Sequence, residues 1–81
     1  MDPTPEDVRR YIAAGLECSV LEVEGDGRHF SALIVSPAFE GRTRVARHQL
    51  VYAALGARMH AEVHALSMRT LTPAEYEAGP R

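Results

Sequence analysis

The chain has one cysteine, no tryptophan and no lysine in 81 residues. With Cys18 alone, no disulfide can form within the chain and no paired-cysteine zinc pattern exists; the sequence reads as a reducing, cytoplasmic protein. The segment Met1-Asp2-Pro3-Thr4-Pro5 has neither the charged nor the apolar region of a signal peptide. No apolar run approaches the roughly 18–20 residues of a membrane span, which excludes a spanning helix. There is no strong net charge either: the balance is −2, so the field of the whole chain does not favour a nucleic acid. Every cation is arginine. A GC-rich gene accounts for that without chemistry; a use for planar forks on phosphate or carboxylate is the chemical alternative. Catalytic signatures are absent as well. No serine sits in a glycine elbow, no phosphate-binding glycine loop is present, and the acids lie on solvent-facing positions. The chain is not expected to be an enzyme.

What is present is enough for one small domain spanning residues 1–81, with an ordered core over about 4–77. Hydrophobic residues make up 46% of the chain. A domain of this size buries only roughly 60–65% of the surface its unfolded chain exposes, so the core must be compact. Thr4-Pro5-Glu6-Asp7 carries a cap hydroxyl, proline at the first helical position and acids in the first turn. Val8, Tyr11, Ile12 and Leu16 follow on one helical face, and Gly15 is placed to end the helix in a left-handed conformation. A strand is expected over 19–24, with Leu21 and Val23 inward and Glu22 and Glu24 wet. Gly25-Asp26-Gly27 is the strongest turn signal. The next strand, 29–35, is apolar on both parities and therefore central, and Ser36-Pro37 ends it.

A loop with Phe39 and Gly41 leads to a helix over about 44–55, whose apolar stripe is read as Val45, Leu50, Val51, Tyr52 and Leu55. A third strand covers 63–70. Thr72-Pro73-Ala74-Glu75 is a capping box that opens a last helix. The order α-β-β-α-β-α gives an α/β (α+β) domain, a hairpin followed by a parallel crossover, with a three-stranded mixed sheet and helices packed on one side.

Four histidines are the candidate metal ligands. His29 follows the hairpin turn and is either a solvated turn residue or a ligand. His64 shares its strand parity with Leu66 and Met68, so it is either a core histidine or a ligand. Both stand at the starts of strands expected to be parallel neighbours, so they can meet. Two nitrogens make half a site, because zinc takes about three or four protein ligands. A half-site points to a metal shared with a partner. His48 reads as a surface residue, and His60 as a residue near a helix end. Cys18 reads as a small buried hydrophobe. A second cluster, Arg42, Arg44 and Arg47 with His48, surrounds a helix start. It is either the solvated face of an amphipathic helix or an anion site.

The segments Gly25-Asp26-Gly27-Arg28-His29-Phe30, Ser36-Pro37-Ala38-Phe39-Glu40-Gly41, Arg44-Val45-Ala46-Arg47-His48-Gln49-Leu50-Val51-Tyr52, and Val63-His64-Ala65-Leu66 followed by Thr70-Leu71-Thr72-Pro73, in this order and spacing, resemble the BolA-like family. The glycine-rich hairpin is most similar to its short bacterial branch. The resemblance implies a fold like that of class II KH domains. It implies a monothiol glutaredoxin partner and a [2Fe-2S] cluster held between the two proteins, with glutathione and a cysteine supplied by the glutaredoxin. His64 and His29 would be the ligands from this chain, which would carry no cofactor and be a monomer or weak homodimer when isolated. The role implied is iron–sulfur cluster trafficking or iron homeostasis, without a membrane. Some family members are described as DNA-binding transcriptional regulators, which would use Arg42, Arg44, Arg47 and His48. Here the chain departs from the KH pattern: Gly41-Arg42-Thr43-Arg44 lacks the second glycine of the GXXG phosphate clamp.

Overall fold

The computed structural model describes residues 3–57 and 65–79. Helix α1 (Pro5–Gly15) is followed by strands β1 (Val20–Gly25) and β2 (His29–Val35), a single 3₁₀ turn (Pro37–Phe39), helix α2 (Arg44–Leu55), strand β3 (Ala65–Leu71) and helix α3 (Pro73–Glu77). The sheet order is β1-β2-β3, with β1 antiparallel and β3 parallel to β2. This is the expected three-stranded mixed sheet with a central β2.

Local signals explain the helix starts. The Thr4 hydroxyl accepts the Asp7 N–H at 3.1 Å while the Asp7 carboxylate accepts the Thr4 N–H at 2.9 Å, and Pro5 loses nothing by lacking a donor in the first turn. Thr72 and Glu75 repeat the device at α3. The Thr43 hydroxyl caps α2 through the Ala46 N–H.

The core lies between the sheet and helices α1 and α2. Phe30, Ala32 and Ile34 point from β2 toward Val8 and Ile12 of α1 and toward Val51 and Leu55 of α2, and Phe39 closes one end; all eight are buried. Alternation leaves His29 and Ser31 on the opposite, exposed face of β2. Ser36, wholly buried, donates its hydroxyl to the Glu17 carbonyl and accepts the Ala38 N–H, while its own N–H bonds to the Leu71 carbonyl at 3.0 Å. These bonds lock the ends of β2 and β3 together beneath the loop that leads to α2.

Three expectations need correction. Gly15 does not take a left-handed conformation; the following residue, Leu16, leaves the helix in extended geometry with φ −150°. Glycine is needed there for a different reason. A Cβ on Gly15 would lie 2.8 Å from the Ala54 Cα, so the bare backbone lets α1 and α2 touch. Val45 and Tyr52 are not part of the buried stripe: Val45 is 67% exposed and Tyr52 40%. At 100° per residue, Val51 stands about 120° around the helix from Val45, and the face that meets the sheet is the Val51 and Leu55 side. The first strand is displaced by one residue from its expected span, though the Ser19 N–H still bonds to the Val35 carbonyl at 2.7 Å.

Candidate functional site

The His29 site is built by the hairpin turn. The Asp26 carboxylate accepts the N–H groups of Arg28 and His29, both at 2.9 Å, and the Asp26 N–H donates to the His29 carbonyl at 3.2 Å. Gly27 takes φ +99°, a region open to glycine at little cost. Gly25 is required by space: a Cβ there would sit 2.6 Å from both the His29 carbonyl oxygen and the Phe30 ring. Phe30 is buried, so the turn is pinned from within while His29 stands out. The His29 side chain is 78% exposed, and its Nδ1 lies 3.9 Å from the Asp26 carboxylate. The N–H bonds from His29 and then Arg28 hold the Asp26 carboxyl below its ordinary range, so the group beside the imidazole stays anionic.

In the parallel register His29 pairs with Ala65, and the Ala65 N–H bonds to the Arg28 carbonyl at 3.1 Å. Ala65 is the residue that follows His64 in the chain. His64, His60 and Arg58 lie outside the described residues. Among the described residues no three His, Cys, Asp or Glu side chains converge as a metal site.

The arginine cluster forms a separate site. Arg42, Arg44, Arg47 and His48 come together in a cleft of about 700 Å³, walled by Met68 and Thr70 of β3 and by Glu75 of α3. The four residues are not equivalent. Arg47 is committed to the fold. Its Nε donates to the Arg42 carbonyl at 2.9 Å, and Nη1 donates to the Thr70 carbonyl at 3.0 Å. Nη1 and Nη2 meet the two Glu75 oxygens at 2.8 and 3.3 Å. The guanidinium also lies 5.9 Å from the Phe39 ring centre. Its side chain is only 13% exposed. Arg47 and the Thr72 N–H together push the Glu75 carboxyl down to about 2. Arg42 spends one N–H on the Ala38 carbonyl at 3.0 Å, while Arg42 and Arg44 form no ion pair among the described residues. The Nε2 of His48 is buried without a hydrogen-bond partner among the described residues.

The family model described as BolA-like protein matches residues 12–75. The chain belongs to the BolA-like family. The solved structure of a bolA protein homologue from Coxiella burnetii is 49% identical to this BolA-like chain. It superposes with a TM-score of 0.86, over 93% of this chain and 97% of that one. BolA-like protein 1 of Bos taurus is 33% identical over 98% of the chain. A Haemophilus influenzae relative named DNA-binding transcriptional regulator BolA is 37% identical over 67% of the chain and 52% of its own length. The chain spans 66% of the length of the bovine protein.

Within this BolA-like domain, Cys18 packs against the core and its thiol donates to the Leu16 carbonyl at 3.4 Å. Burial pushes that thiol up, which disfavours the thiolate a metal would need. Sequence reasoning missed Glu75 as the partner of Arg47, although the signal was available. Arg47, Val51 and Leu55 lie at i, i+4 and i+8, so the arginine stands in line with the buried stripe. It missed Met68 and Arg69 as cleft residues, because which strand edge lies beside α2 is a property of the assembled sheet. Among the described residues no helix is long and apolar enough to cross a membrane.

Proposed function

We propose that this BolA-like chain is an adaptor that contributes a histidine half-site to a [2Fe-2S] cluster completed by a monothiol glutaredoxin and glutathione, in cytoplasmic cluster trafficking or iron homeostasis. The observation that carries the reading is His29. It is an exposed imidazole on a turn held by three local hydrogen bonds and a buried Phe30, and it is paired in register with the residue after His64. His29 is suited to such a group. A metal-bound histidine usually has a carboxylate or carbonyl beside its second ring nitrogen, and the Asp26 carboxylate lies 3.9 Å from the His29 Nδ1, near it but beyond hydrogen-bond distance. His29 and His64 would hold one iron, and the cluster would supply electron- and iron-carrying chemistry, at a higher potential than with four thiolates. The chain's own part is to present the two imidazoles and to keep Asp26 ionised beside His29.

Mixing the protein with a monothiol glutaredoxin, glutathione, iron and sulfide tests the proposal. A visible absorption and circular dichroism spectrum distinct from that of the glutaredoxin alone is expected. His29→Ala and His64→Ala should each weaken it, while His48→Ala leaves it unchanged. An unaltered spectrum on mixing sinks the proposal.

A second reading, a DNA-binding regulator, is favoured by Arg42 and Arg44, which line the cleft without carboxylate partners among the described residues, and by the name of the Haemophilus influenzae relative. It requires steeply salt-dependent binding lost on removing Arg42 and Arg44. Binding that survives their removal excludes it.

A further inference from the structure

β3 is the outer strand of the sheet, so among the described residues one of its edges faces no other strand. Main-chain groups of alternate residues turn to opposite edges. The Leu71 carbonyl accepts the Ser36 N–H and the Ala65 N–H reaches the Arg28 carbonyl, so odd-numbered residues of β3 turn toward β2. The Thr70 carbonyl accepts Arg47 from the other side, so Leu66, Met68 and Thr70 turn outward. Among the described residues, nothing bonds the outward N–H and C=O groups of Leu66 and Met68. This is the free edge that strand addition uses.

The cleft runs along that edge, and its cations lie on both sides of it. Arg42 approaches from the loop before α2, Arg44 from the first turn of α2, and Arg69 comes from β3 itself. None of the three has a carboxylate partner among the described residues. Arg47 and Glu75 close the far end by their bidentate pair. An extended peptide alternates its side chains, so acids on either of its faces meet a guanidinium. A polynucleotide would satisfy the arginines but has no amide ladder to match Leu66 and Met68.

We propose that the outer edge of β3 binds an extended acidic peptide by strand addition, with Met68 pairing its main chain and Arg44 and Arg69 reading its acids. The site is distinct from the His29 turn and requires neither iron nor glutaredoxin.

The test is an amide-resolved NMR titration of the isolated protein with a blocked Glu-Glu-Glu-Glu-Glu peptide. Three further probes are run beside it: the Gln-for-Glu peptide, the peptide N-methylated at two adjacent central residues so that neither edge keeps its full set of donors, and a short single-stranded oligothymidylate. The acidic peptide should shift the amides of residues 66–70 and slow hydrogen exchange at Met68. N-methylation should weaken binding about tenfold or more through lost main-chain bonds. The Gln peptide, and the variants Arg44→Gln and Arg69→Gln, should bind the weaker. Silence of the residue 66–70 amides overturns the proposal. Equal binding of the N-methylated peptide overturns strand addition and leaves charge alone. Stronger perturbation of the same amides by oligothymidylate overturns the peptide in favour of a nucleic acid.

Discussion

Arg47 is the residue whose removal tests the description of the cleft most sharply. The substitution Arg47→Met keeps an unbranched aliphatic side chain at the position and deletes the guanidinium. What is lost is a bond to the Arg42 carbonyl at 2.9 Å and one to the Thr70 carbonyl at 3.0 Å, besides the Glu75 pair. Hydrogen bonds to a charged group contribute about 1.5–3 kcal/mol each. Water in an open cleft can rehydrate both carbonyls, so the lower end applies, and the two bonds together contribute about 3 kcal/mol. For a domain of this size each kcal/mol moves Tm by about 4–8 °C, so a loss of at least about 12 °C is expected. Urea denaturation followed by circular dichroism should show a lower midpoint with an unchanged slope. A change under about 0.5 kcal/mol, the ordinary effect of a surface substitution, would mean that Arg47 is a solvated cation and that the described bonds are not maintained.

The same pair makes a pH prediction. The Glu75 carboxyl is lowered from 4.5 to about 2, chiefly by Arg47 and then by the Thr72 N–H. A depressed carboxylate stabilises the fold fully above its ordinary value, and that contribution is lost as pH falls through the depressed one. The stability gap between wild type and Arg47→Met should therefore narrow between pH 4.5 and about 2. A gap that stays constant across that window refutes the ion pair's contribution.

Two other substitutions test the packing. Gly15→Ala would gain about 1 kcal/mol in helix propensity but drive a Cβ to 2.8 Å from the Ala54 Cα; overpacking costs about 1–3 kcal/mol, so a net loss in Tm is expected and a rise would refute the close helix contact. Val45→Glu, at a 67% exposed position, should leave the urea midpoint within about 0.5 kcal/mol, and a larger loss would return Val45 to the core.

Much of the fold was legible because its signals are local. Thr4 and Thr72 announce their helices through hydroxyl and carboxylate caps within three residues, and Gly25-Asp26-Gly27 closes its hairpin through bonds of Asp26 to Arg28 and His29. Those interactions need no distant partner. What was misread depends on the assembled structure. The Val45 side of α2 is as apolar in sequence as the Val51 side, and only docking on the sheet decides which is buried. Gly15 reads as a cap because glycine near a helix end usually is one; its contact with Ala54 joins residues far apart in the chain. The role of Arg47 as an interior clamp was hidden by its neighbours Arg42 and Arg44, with which it forms an apparent cationic cluster.

Separating Arg47 from its neighbours divides the chemistry of the domain in a useful way. If all three arginines were free, the cleft would present one undifferentiated positive surface, and charge alone would govern what enters it. With Arg47 saturated by Glu75 and two carbonyls, the remaining cations, Arg42, Arg44 and Arg69, lie along an edge whose main chain at Leu66 and Met68 is also unpaired among the described residues. Recognition there then requires backbone geometry as well as charge. The turn that carries His29 lies at the start of β2, four residues before Leu33, the register partner of Arg69, and its rigidity comes from Asp26, Gly25 and Phe30, none of which lines the cleft. A substitution that disables one site should therefore leave the other intact: Arg44→Gln is expected to preserve cluster formation with a glutaredoxin, and His29→Ala to preserve peptide binding. Loss of both functions from either single change would mean that the two sites are one surface.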